Sequence, residues 1–161
     1  MKREERGFTL IEILLVIAIT GVIITPLAMV TTTLLTNPQQ SADQNVVLSQ
    51  VRNAGYWISR DVHTAKTVTL DDPDVFLILT IPVDEEPAND YTIDYVFEGS
   101  KLMRKQWDPS HTSFSETLIS DYVVTDDTTF STISEGYHKF TITVSRGDTV
   151  VTMSYEVSQR L

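Results

Sequence analysis

Residues 8–30 are apolar apart from Glu12 and a few threonines, with Gly21 and Pro26 embedded in the run. A helix rising ~1.5 Å per residue crosses a ~30 Å hydrocarbon core in about 20 residues, so this segment predicts a membrane-spanning helix. The seven residues before it, MKREERG, are polar and carry Lys2, Arg3 and Arg6, and no Lys or Arg follows until Arg52. The positive-inside rule then keeps the N-terminus cytoplasmic and exports everything after about residue 31. An ordinary secretory signal has a shorter apolar region and a small-residue cleavage site, and no such site follows Gly21 or Ala28.

Residues 31–40 turn polar and contain Asn37-Pro38, which predicts a break. Ser41 stands three residues before Gln44, a candidate capping box for a second helical stretch. Val47, Val51, Ala54, Ile58, Val62 and Ala65 then recur at three- and four-residue spacing, an amphipathic stripe that predicts a helix to about residue 66. Arg52, Arg60 and Asp61 are expected on or near its polar side. From residue 67 to 161 the pattern is β, with strands predicted at 75–81, 91–97, 101–107, 117–124, 137–145 and 149–158. The alternation of His138, Phe140, Ile142 and Val144 against Tyr137, Lys139, Thr141 and Thr143 is that of a half-buried strand. Residues 98–100 and 146–148 supply hairpin turns. The expected class is α+β: a long N-terminal transmembrane and amphipathic helix packed on an antiparallel β-sheet head.

Composition narrows the functions. The net charge is −10, and from Ser41 onward nine Lys/Arg face nineteen Asp/Glu, so nucleic acid is not an expected partner. There are no cysteines, which excludes disulfides and thiolate-ligated metals. The three histidines, His63, His111 and His138, are scattered, and no G-x-S-x-G elbow, Walker loop or G-x-G-x-x-G occurs. No enzymatic activity and no cofactor is expected. Acidic clusters at Asp71, Asp72 and Asp74, at residues 84–86 and at Asp126 and Asp127 offer oxygen ligands of the kind calcium takes. None has EF-hand spacing, so no metal is assigned and the aspartates stand only as calcium candidates. The Arg146-Gly147-Asp148 tripeptide reads first as a turn.

Glu12 is the anomaly in the apolar run. A carboxylate at a bilayer centre costs roughly 2.5–3.5 kcal/mol on insertion scales, less near an interface. No basic residue lies within 8–30, and Arg6, six positions earlier, falls on another helical face. Glu12 is therefore either neutral or partnered by another molecule.

The segment R-G-F-T-L-I-E, Arg6 to Glu12, resembles the cleavage and methylation motif of type IV pilins and type II secretion pseudopilins. The resemblance implies a membrane peptidase that cuts after Gly7 and methylates the new N-terminus at Phe8. It implies that Glu12 faces the N-terminal amine of a neighbouring subunit and sets register, and that the helix can unwind around Gly21 and Pro26 on packing. The implied partners are the prepilin peptidase, other pilins, an assembly platform protein and, before assembly, membrane lipid. The implied location is the cytoplasmic (inner) membrane, then an extracytoplasmic filament. The implied layout is a leader at 1–7, a filament-core helix at 8–30, a linker and amphipathic helix at 31–66 and a head at 67–161. W-I-S-R-D-V-H-T-A, from Trp57, and D-Y-V-F-E-G-S-K-L-M-R, from Asp94, are similar to the minor pseudopilin J and PilW-like group, which implies a minor subunit. A DNA-uptake pseudopilin and a membrane-tethered protein that never polymerises are the alternatives.

Overall fold

The computed structural model describes residues 9–70 and 74–160, with the side chains of 33–39 outside that description. The chain divides into two compact units, Met1–Ala42 and Asp43–Leu161. One helix, α1 (Leu10–Thr64), supplies the described helical residues of the first unit and the first element of the second. The helix continues through 37 and 38, where a break was expected, and through Ser41 and Gln44, which are interior residues and not a cap. A proline removes one backbone donor and strains the preceding turn, at about 3 kcal/mol, without forbidding helix on both sides.

In the second unit the strands form two antiparallel sheets where the sequence predicted one. The first has the order β1-β2-β3-β4-β5, from β1 (Thr67–Thr69), β2 (Leu77–Ile81), β3 (Tyr91–Glu98), β4 (Lys101–Trp107) and β5 (Phe114–Ser120). The second is β6-β7-β8, from β6 (Thr129–Ser134), β7 (Tyr137–Arg146) and β8 (Thr149–Ser158). Gly99 and Gly147 take φ of 63° and 57° at the β3–β4 and β7–β8 turns, a left-handed conformation that costs a glycine little.

The predicted strand at 117–124 is corrected: β5 begins at Phe114 and stops at Ser120. Tyr122 has φ of 60° and breaks the extended run, and Val123 then bridges Val144 of β7. The chain changes sheets at this point.

All six residues of the predicted stripe, Val47 to Ala65, are buried, and they share one core with Leu77, Leu79, Ile93 and Tyr95 of the first sheet and Phe140, Ile142 and Val144 of the second. Hydrogen bonds fix the helix to both sheets. Asn53 Nδ2 donates to Ile119 O at 2.6 Å, and Tyr155 Oη donates to Val51 O at 3.2 Å. The Tyr155 ring lies where a side chain on Gly55 would begin, so the close approach of β8 to the helix requires glycine at 55.

Candidate functional site

The first unit begins its helix with a local device. Thr9 precedes α1, and both its N–H and its hydroxyl donate to Glu12 Oε2 at 3.2 Å. A glutamate three residues into a helix that reaches back to the N-cap N–H is one half of a capping box. The carboxylate also stands at the positive end of the helix dipole. The expectation that Glu12 lacks any partner within the chain is thereby corrected. The T-L-I-E spacing carried that signal, and the apolar surroundings hid it.

Leu10–Thr32 is long and apolar enough to cross a membrane, and none of it is buried within the chain. A helix that is apolar on every side needs lipid or other helices around it. Its threonines turn inward on their own backbone: Thr20 donates to Val16 O at 2.6 Å and Thr31 to Leu27 O at 2.9 Å. Such bonds keep hydroxyls from demanding partners in an apolar medium. The helix runs across Gly21 and Pro26. A Cβ at Gly21 would meet nothing within 4 Å, so packing within this chain gives no reason for glycine there. Gly7 and Phe8, the proposed cut, lie outside the described residues.

In the second unit the structure assembles a cluster that sequence reading missed. Asp61, expected near the polar side, is buried. Its Oδ2 accepts from Arg104 Nε at 2.6 Å and from Tyr95 Oη at 2.8 Å, and its Oδ1 accepts from Arg60 Nη2 at 2.9 Å. The physical reason lies in the spacing. Position 61 is three after Ile58 and four before Ala65, so it falls on the buried stripe. Arg104 likewise shares the inward parity of Leu102. Burial, reinforced by the Asp61 carboxylate, pushes the Tyr95 hydroxyl pKa well up and keeps it a donor. Arg60 lies 4.0 Å over the Trp57 ring. The segment from Trp57 and the segment from Asp94 thus meet in one buried ion pair.

Among the described residues no three acidic or histidine side chains converge as a metal would require. Asp126 and Asp127 lie in a short 3-10 turn (Thr125–Asp127), Asp74 stands apart from any such group, and Asp71 and Asp72 lie outside the described residues. His138 is buried, 3.1 Å from Thr132 Oγ1 and 3.0 Å from Gln159 Oε1, a satisfied core histidine. Arg146 pairs with Asp43 at 3.1 Å, which ties the tripeptide's arginine to the helix. Arg60, Lys66, Arg104, Lys105 and Arg146 are each held by a carboxylate.

Comparison with known proteins bears on the first unit. Residues 2–28 match the family model described as the prokaryotic N-terminal methylation motif. This is the cleavage and methylation signal of type IV pilins and pseudopilins, and the chain carries it. The match spans Gly7, Phe8, Thr9 and Glu12 and ends inside the apolar helix. No curated protein and no solved structure matches the chain.

Proposed function

We propose, from a chain that carries this signal, a minor structural subunit of a type IV pilus-like or type II secretion-like filament. The prepilin peptidase cuts after Gly7 and methylates Phe8. Residues 8–30 anchor the subunit in the cytoplasmic membrane until a platform protein delivers it to the filament, among other pilin-like subunits. The head remains outside.

The observation that carries this reading is the state of Glu12. Its carboxylate rests at a helix start on two hydrogen bonds from the uncharged donors of Thr9, in a stretch otherwise apolar on all sides. An incoming amine, charged as ammonium, is a stronger partner: it adds a full opposite charge to the hydrogen bond, which the neutral Thr9 donors lack, and low dielectric enlarges that attraction. Cleavage after Gly7 creates such an amine at Phe8 of every subunit. Assembly then exchanges a local cap for an intersubunit ion pair and disfavours registers that leave the carboxylate unpaired. The unfilled surface at Gly21 supports close approach of a neighbouring helix. The minor class is supported by the Asp61–Arg104 pair, which joins the two segments similar to the pseudopilin J group.

Mass spectrometry of the chain produced with and without a prepilin peptidase tests the reading. Loss of residues 1–7 and gain of a methyl group on Phe8, only with the peptidase, is the expected result. An intact MKREERG in the presence of active peptidase would favour a tethered, non-polymerising protein and end the proposal.

A further inference from the structure

The proposed filament role assigns no task to one groove of the head. The ends of β3, β4 and β5, with the loops at 82–90 and 108–113, form an open groove of about 530 Å³. That volume lies within the range of small-molecule sites. Tyr91, Trp107 and Phe114 line it. Trp107 and Phe114 are register partners, with ring centroids 4.7 Å apart and planes inclined by 51°. Trp107 Nε1 donates to Asp94 Oδ2 at 2.6 Å, which fixes the indole.

Neutral polar groups with unused capacity stand among the rings. Gln106 Oε1 accepts from Arg104 Nη1 at 3.1 Å, and its Nε2 has no partner among the described residues. Asn89 Nδ2 donates to Asp84 Oδ2 at 2.7 Å, leaving Oδ1 open to a donor. The hydroxyls of Tyr91 and Ser115 make no bond among the described residues.

The two carboxylates at the groove, Asp84 and Asp108, are already committed, and Asp84 accepts from the Glu86 N–H and from Asn89 Nδ2. Asp108 accepts from the N–H groups of Thr112 and Ser113 and from the hydroxyls of Ser110, Thr112 and Ser113. Its lone pairs are filled by its own loop, so a cation finds little to bind there. What remains is a set of flat apolar faces beside neutral donors and acceptors. C–H faces stack on such rings while hydroxyls take up the amides, which is the chemistry of a polyol ring. We propose that this groove binds a short neutral saccharide, stacked on the aromatic pair of Trp107 and Phe114, with Gln106 Nε2 as a donor to a ring hydroxyl. One face of the indole is taken by the His111 ring at 5.9 Å, and Phe114 is 48% exposed. The site does not depend on polymerisation, so it stands or falls separately from the filament reading.

The test uses the full chain in a detergent without a sugar head group, titrated with maltotriose, cellotriose and chitotriose by calorimetry. Saturable binding of at least one, at about millimolar concentration or below, is expected. Gln106→Glu keeps the acceptor for Arg104 and removes the donor, so it weakens saccharide binding about tenfold. Trp107→Leu, checked for an unchanged unfolding midpoint, removes binding; should it fail to fold, Gln106→Glu carries the test alone. Absence of saturation with all three sugars overturns the proposal, as does sugar binding indifferent to Gln106→Glu. Saturation by tetramethylammonium instead, tightened by Gln106→Glu, also overturns it and marks a cation site.

Discussion

Arg104 Nε lies 2.6 Å from Asp61 Oδ2, with the two side chains 8% and 4% exposed, and this contact joins the end of α1 to the β3–β4 hairpin. Removing one member of a buried pair strands the other charge, at roughly 3–5 kcal/mol. Asp61→Asn should therefore cost about that much, because it leaves the Arg104 guanidinium buried beside a neutral amide. Arg104→Met should cost less, since Arg60 and Tyr95 still bond Asp61. The double variant should recover part of the loss. Urea unfolding followed by circular dichroism measures all three, and an unchanged midpoint for Asp61→Asn would sink the idea that the pair fastens helix to sheet.

Gly55→Ala puts two effects in opposition. Alanine favours a helix interior over glycine by about 1 kcal/mol. Here its Cβ would overlap the Tyr155 ring, which is stacked on Phe140 with centroids 5.0 Å apart and cannot simply swing away. Overpacking of this kind costs about 1–3 kcal/mol. A net loss of stability is expected, together with a change in the near-ultraviolet signal of the stacked rings. A stabilised Gly55→Ala would show that β8 yields freely.

Periodicity decided which parts of the fold were legible. The stripe from Val47 to Ala65 was readable because it repeats five times at helical spacing, and every member is buried. β7 was readable because its apolar residues alternate. β6, T-F-S-T-I-S, has no buried residue, so burial left no pattern to read, and β1 has only three residues. The two-sheet division turns on the left-handed conformation of Tyr122, a residue type with no special preference for it. Asp61 was misplaced because polarity was weighed above position on the stripe. The motif at residues 2–28 was legible because it is contiguous, whereas the saccharide groove gathers residues from loops and strands between 83 and 115.

The loop closed by Asp108 should resist acid. Hydrogen bonds, the Thr112 hydroxyl first among them, hold its carboxyl well below the usual carboxylate range. A depressed folded-state pKa contributes stability above the unfolded value, and that contribution is lost only as pH falls through the folded one. The Thr112 and Ser113 amide resonances should therefore stay fixed from neutrality through about pH 4 and move only below it. Asp108→Asn should abolish that transition. Movement centred near pH 4 in the parent chain would show that the loop does not hold the carboxylate.

Glu12→Gln separates the two roles of this side chain, because an amide oxygen still accepts the Thr9 N–H but cannot pair with an amine. Glu12→Ala loses both. Loss of a cap costs about 1 kcal/mol, roughly fivefold in equilibrium terms. In micelles, exchange of the Thr9 amide should be as slow in Glu12→Gln as in the parent and about fivefold faster in Glu12→Ala. Both variants should be cut by the peptidase, and both should be missing from sheared filaments. A Glu12→Gln subunit found in filaments at the parent level would mean that hydrogen bonding at the helix start, and not charge pairing with a neighbour, is what Glu12 contributes.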